Sequence, residues 1–152
     1  MLTRSRQKRG TGGFTLLELM VVIVILGILA TYVGAKIITK TDEAKQQTAR
    51  VQIESLSSAL KYYRLHNGHY PSTEQGLQAL VEPPSTGRQP KKWQEGGYLE
   101  KNHVPKDPWG NDYVYISPGV HEDFDISSYG ADNQPGGEGF DADINSWETD
   151  QG

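Results

Sequence analysis

Between Tyr129 and Trp147 the chain gathers oxygen donors: Asp132, Glu138, Asp141 and Asp143, spaced by Gly130, Gly136, Gly137 and Gly139. A hard cation such as calcium takes about six to eight oxygens from carboxylates, backbone carbonyls and water, in flexible geometry. Asp132, Asp141 and Asp143 can supply the carboxylates. The glycines let carbonyls turn inward without a Cβ in the way. The spacing is not that of an EF-hand, which needs alternating acids and a closing Glu. The same composition also describes a solvated acidic loop, and composition alone leans toward that reading.

A second chemically pointed position is Glu18, the one charged residue in the apolar run from Phe14 to Val33. That run is long enough to span a bilayer as a helix, which takes about 20 residues. A carboxylate at membrane depth costs about 2.5–3.5 kcal/mol on insertion scales and needs a partner. No Lys, Arg or His lies between Phe14 and Ala35. Either Glu18 sits near the interface, or its partner is a positive charge on another copy. A cut between Gly13 and Phe14 would create such a charge, the free amine of Phe14. An ordinary secretory signal would instead be cut beyond the apolar run, at Gly34-Ala35. An acid within the apolar run and a helical pattern continuing past that site count against it.

The elements that must position these groups can be read from periodicity. Ala49, Ile53, Leu56, Leu60 and Tyr63 recur at steps of four and three, which puts them on one helix face. No proline interrupts the chain from Phe14 to about Leu65, and Asn67-Gly68 followed by Pro71 is a stop signal. The first half of this helix is apolar all round, as a lipid or bundle helix must be, and the second half has one buried face. Ser72 or Thr73 can cap a short helix with Leu77, Leu80 and Val81 inward. Residues 82–92, with Pro83, Pro84 and Pro90, form an exposed loop. Strands are predicted at Asp112–Ile116 and Phe124–Tyr129. Asp107-Pro108-Trp109-Gly110 is predicted as a rigid turn with a buried indole. The fold class is α+β: a long N-terminal helix packed on a small antiparallel sheet.

Gly13-Phe14-Thr15-Leu16-Leu17-Glu18 with an unbroken apolar run resembles the processing signal of type IV pilins and type II secretion pseudopilins. Tyr70-Pro71-x-x-Glu74-Gln75-Gly76-Leu77-x-Ala79-Leu80, Gly96-Gly97-Tyr98 and Asp107-Pro108-Trp109-Gly110-x-x-Tyr113 follow in order. Together they resemble the major pseudopilin family of type II secretion systems, from Gly13 to Trp147. The resemblance implies a pilin-like fold and a cleaved basic leader over residues 1–13. It further implies an apolar transmembrane and assembly helix over 14–38 and a periplasmic head over 39–152. It makes Gly13 the cleavage residue for a prepilin peptidase, Phe14 the N-methylated terminus and Glu18 the assembly residue. It also implies one calcium ion in the C-terminal loop, held by Asp132, Asp141 and Asp143 with Tyr129 and Gln134 giving backbone carbonyls. Glu138 and Asp125 are plausible ligands but not favoured. The implied partners are other copies in a helical homopolymer, minor pseudopilins, the inner-membrane secretion platform and the prepilin peptidase.

Composition narrows the alternatives. The chain has 152 residues, no cysteine and a net charge of −4, with a basic leader and an acidic C-terminal third. The positive-inside rule puts the N-terminus in the cytoplasm and the head outside, in the periplasm of a Gram-negative cell. An acidic external head argues against nucleic-acid binding. His66, His69, His103 and His121 are scattered, and no catalytic set can be assembled, so no enzyme activity is expected. One rival is a type IV pilin for adhesion, motility or DNA uptake; the missing cysteines and Asp107–Gly110 count against it. Another is a membrane-tethered calcium-binding module that forms no polymer.

Overall fold

A computed structural model describes residues 13–149, with side chains placed for 13–31 and 41–148. In chain order the elements are α1 (Leu16–Asn67), a 3-10 turn (Leu77–Leu80), β1 (Val114–Ile116) and β2 (Asp125–Ser128). A second 3-10 turn (Gly139–Asp141), β3 (Ile144–Asn145) and the short α2 (Ser146–Thr149) complete it. The strands form one antiparallel sheet in the order β1-β2-β3. The chain divides into two compact units with a boundary between Thr39 and Lys40.

In the first unit every side chain from Gly13 to Thr31 is exposed, including Phe14, Leu16, Leu17 and Ile28. Among the described residues, no helix is long and apolar enough to cross a membrane. The final part of the predicted span, residues 32–38, lies outside the described side chains.

The second unit is built on the C-terminal half of α1. Ala49, Ile53, Leu56, Leu60 and Tyr63 are fully buried, as their spacing predicts. They pack with Leu77, Leu80, Tyr113, Tyr115, Phe124, Ile126 and Ile144. Burying one such large side chain contributes about 1.5–3 kcal/mol, which makes this face the main anchor of the head. The helix ends where the sequence punctuates it. Gly68 takes φ +77°, and its N–H donates to the Arg64 carbonyl at 2.7 Å. Asn67 is buried, and its side chain bonds the Tyr63 carbonyl, the Tyr98 hydroxyl and the Lys92 N–H, each at 3.0 Å. The end of α1 thereby fixes the loop that follows.

Three expectations change in detail. The short helix after Pro71 is a 3-10 turn starting only at Leu77, because Gly76 at φ +61° interrupts it. Ser72 and Gln75 do cap each other reciprocally, but around a turn (Ser72 N–H to Gln75 Oε1 at 3.0 Å, Gln75 N–H to Ser72 Oγ at 3.3 Å). β1 and β2 are shorter than predicted, and all four residues of β2 are buried rather than alternating. The turn at Asp107 forms, with its carboxylate accepting from the N–H groups of Trp109 (3.1 Å) and Asn111 (2.8 Å). Trp109 is only partly buried and packs on the core, with its indole nitrogen buried and unpartnered.

Candidate functional sites

The N-terminal site begins at the first turn of α1. The Glu18 N–H donates to Thr15 Oγ1 at 3.2 Å, and the Leu19 N–H donates to the Thr15 carbonyl at 3.2 Å. Thr15 is therefore the N-cap, and Thr15-x-x-Glu18 has the spacing of a capping box. A carboxylate in the first turn is also favoured by the helix dipole. Sequence reasoning placed Glu18 either near the interface or opposite another copy's amine and missed this local role, although the Thr-x-x-Glu spacing carried the signal. The cap fixes Glu18 one turn from Phe14. Residues 1–12 of the predicted leader lie outside the described residues.

The C-terminal loop hangs between β2 and β3. Ser128 pairs with Ile144, so continuing the register sets Tyr129 opposite Asp143 at the loop's neck. Gly130, at φ +63°, passes so close to Asp141 that a Cβ there would meet the Asp141 carbonyl oxygen at 2.8 Å. A Cβ on Gly137 would meet the same oxygen at 2.5 Å. The carbonyl of Asp141 is thus pinched inside the loop while its carboxylate side is exposed. The Gly136 N–H donates to Asp143 Oδ2 at 2.9 Å, and the Gln134 N–H donates to Asp132 Oδ1 at 3.0 Å. Gln46 of α1 holds the loop from outside, donating to the Gly139 carbonyl at 2.7 Å.

These residues fit a cation at one definite point. Asp143 Oδ1 is buried and has no hydrogen-bond partner. An unsatisfied buried acceptor costs about 1–3 kcal/mol, and more if charged, and a bound cation removes that cost. Among the described residues, however, no three acidic or histidine side chains are grouped to hold a metal. Asp132 and Gln134 are exposed, and Tyr129 and Asp143 are partly buried. A calcium shell here would therefore draw on carbonyls and water beside the Asp132 and Asp143 carboxylates, which calcium accepts.

Beside the loop stands a polar network that the sequence did not reveal. The buried Asp125 carboxylate accepts from the N–H groups of Val120 (2.7 Å), His121 (3.1 Å) and Glu122 (3.2 Å) and contacts His121 Nδ1 at 3.1 Å. Burial alone would raise its pKa, but these bonds outweigh it and leave the carboxyl below its ordinary value. Asp125 is thus already satisfied by its own turn. Ser128 Oγ donates to Asp107 Oδ2 at 2.7 Å, tying β2 to the Asp107 turn. Burial pushes the Tyr115 phenol up to about 12, so its hydroxyl stays a donor, to the Pro71 carbonyl at 2.8 Å.

A sequence family described as type II secretion system (T2SS), protein G, matches residues 36–147. The chain belongs to the type II secretion system protein G family. The prokaryotic N-terminal methylation motif matches residues 8–33, which bracket Gly13, Phe14 and Glu18. The type II secretion system core protein G of Pseudomonas aeruginosa is 49% identical over 143 residues, 94% of this chain and 99% of that protein. Its counterpart in Vibrio cholerae is 50% identical over 142 residues, 93% of this chain and 95% of that one. The crystal structure of the major pseudopilin from the type 2 secretion system of enterohaemorrhagic Escherichia coli superposes with a TM-score of 0.63. It shares 40% identity and covers 72% of this chain and 91% of that chain.

As a protein G family member, the chain carries the pilin-like α+β fold expected from its sequence. The matches favour a type II secretion pseudopilin over a type IV pilin for adhesion, motility or DNA uptake. The family is one of structural subunits.

Proposed function

We propose that the chain is the major structural subunit of a type II secretion pseudopilus, a periplasmic helical filament that drives folded proteins across the outer membrane. The supporting observation is the first unit: a helix with every side chain from Gly13 to Thr31 exposed, almost all apolar, with Glu18 its one charged group. Such a surface requires lipid or other helices around it. A prepilin peptidase cuts after Gly13, and Phe14 is then N-methylated. The subunit waits in the inner membrane as a single-pass protein with its head in the periplasm. On assembly, helix contacts replace lipid contacts, and Glu18 gains the Phe14 amine of the next copy as its partner. The inner-membrane platform supplies subunits, and minor pseudopilins complete the filament. The chain itself carries out no catalysis.

In the head, one calcium ion is held by the Asp132 and Asp143 carboxylates, with Asp141 and the carbonyls of Tyr129 and Gln134 contributing. It neutralises the clustered acids and clamps the loop.

The deciding experiment expresses the full chain with its secretion machinery and compares Gly13→Ala with Glu18→Ala. Gly13→Ala should accumulate as a larger precursor in the membrane. Glu18→Ala should be processed normally yet give no filament. Normal filaments from Glu18→Ala would remove the pairing mechanism.

A further inference from the structure

We infer that a basic pocket at the end of α1 receives the acidic C-terminal loop of a neighbouring copy of this chain, forming a head-to-tail contact along the filament. The inference rests on the filament reading above.

The pocket has a volume of about 420 Å³ and is bounded by Arg64, His69, Ser72, Gln75, Arg88 and Asp123 among others. Most of its polar groups are spoken for. Arg64 Nη1 bonds Asp123 and the Tyr70 hydroxyl. Gln75 Nε2 donates to the carbonyls of Thr86 (2.6 Å) and Arg88 (3.0 Å), and Gln75 Oε1 is taken by Ser72. Two groups remain open. Both ring nitrogens of His69 are buried without a hydrogen-bond partner. The Arg88 guanidinium is exposed and has no ion-pair partner among the described residues. An imidazole carries at least one N–H in either charge state, and a guanidinium carries five. The neutral His69 ring thus has one donor and one acceptor unmet, and the open positive charge of the pocket is that of Arg88. Burial, then Arg88 and Lys91, lower the His69 pKa, so both cations act on the ring. A carboxylate arriving at the pocket mouth pairs with the exposed Arg88 guanidinium and offsets the positive charge that Arg88 and Lys91 bring to the ring.

The same chain presents such carboxylates, but not where they can reach. Asp132, Glu138 and Asp141 are exposed in the C-terminal loop. That loop is tied to α1 at Gln46, through Gly139. The pocket lies at Arg64 and Gly68 of the same helix. Eighteen residues separate Gln46 from Arg64, and at 1.5 Å per residue that is about 27 Å. A negative patch and a positive pocket at opposite ends of one head cannot meet within a chain, but they can meet between copies. A contact of unlike patches is heterologous, and when its rotation does not close it builds an open helical filament. Glu138, which the calcium shell does not need, is the carboxylate assigned to the pocket.

The chain has no cysteine, which gives a clean test. The full chain carrying Arg88→Cys and Glu138→Cys is assembled by its secretion machinery, sheared from cells and oxidised. A ladder of covalent dimers, trimers and longer species is expected, with neither single variant exceeding a dimer. As a second readout, Arg88→Glu should lower filament yield about tenfold, the scale of one lost charge-assisted contact. Processed subunit in the membrane should stay at the wild-type level, and adding Glu138→Arg should restore the yield. Filaments that form without a ladder, or an Arg88→Glu yield equal to wild type, would overturn the contact. Absence of filaments from the wild-type chain would instead strike at the filament reading on which it rests.

Discussion

The imidazole of His121 lies flat on the indole of Trp147, with ring centroids 3.8 Å apart and planes inclined by 12°. The same imidazole contacts the Asp125 carboxylate, so one ring couples the turn before β2 to α2. Removing the carboxylate unpairs the N–H groups of Val120, His121 and Glu122 together. Asp125→Ala should therefore cost about 1.5–3 kcal/mol, the range for hydrogen bonds to a charged group. Urea denaturation of the full chain in detergent should show the loss, and the Trp147 emission should shift as its stacking partner is released. A variant as stable as wild type would mean that the turn holds its shape without the carboxylate.

On the acid side two groups shape how stability follows pH, and both have folded pKa values below their ordinary ones. For Asp125, burial raises the value and the N–H bonds outweigh it, so its contribution is present above about 3.8 and is lost as pH falls below that. For His69, burial and then Arg88 and Lys91 lower the value. The unfolded chain then binds the proton first, so stability is full above about 6.5 and declines as pH drops below it. The unassembled chain should lose stability as pH falls below about 6.5, and His69→Gln should flatten that slope while leaving the loss below about pH 3.8. An unchanged slope just below about pH 6.5 would assign it to another group.

The sequence exposed most of what repeats and little of what is long-range. Four-three spacing placed Ala49, Ile53, Leu56, Leu60 and Tyr63 correctly because each reports the same helix face. Asn67-Gly68 located the stop because only glycine takes φ +77° cheaply there. Alternation failed in β2 because Asp125 and Ser128 turn inward to polar partners, the 120–122 turn just before the strand and the distant Asp107. β3 was missed because two residues, Ile144 and Asn145, are too few to show a period. The acids of the C-terminal loop were legible by type. That Asp143 is the one with a buried unpartnered oxygen depends on the β2–β3 register and Gly136, which no local pattern encodes.

That oxygen makes a prediction whose sign depends on calcium. With calcium in excess, binding to the folded head alone should add about 2.7 kcal/mol at a hundredfold excess over Kd. Asp143→Asn should abolish this gain. In chelator the same substitution should be neutral or slightly stabilising, because it removes a carboxylate charge whose Oδ1 is buried without a partner. Melting of the full chain in detergent, with calcium and with chelator, tests both arms. A melting temperature indifferent to calcium in the wild-type chain would end the assignment of the ion to this loop.

The glycines of the loop separate backbone strain from steric contact. Gly136 and Gly137 are neighbours at φ +97° and +84°, so alanine at either is strained by about 1 kcal/mol or more. At Gly136 the new methyl meets nothing within 4 Å. At Gly137 it lands 2.5 Å from the Asp141 carbonyl oxygen and 3.1 Å from the Asp141 Cβ, so the 3-10 turn at Gly139–Asp141 must move. Gly137→Ala should therefore cost about 3 kcal/mol against about 1 for Gly136→Ala, as steric damage adds to strain. Because Asp143 lies two residues past that turn, Gly137→Ala should also weaken calcium binding, and more than Gly136→Ala, which keeps the N–H that holds Asp143 Oδ2. Calorimetric titration of the two variants with calcium distinguishes these outcomes, and equal losses would mean that the loop yields as one flexible piece rather than closing on Asp141.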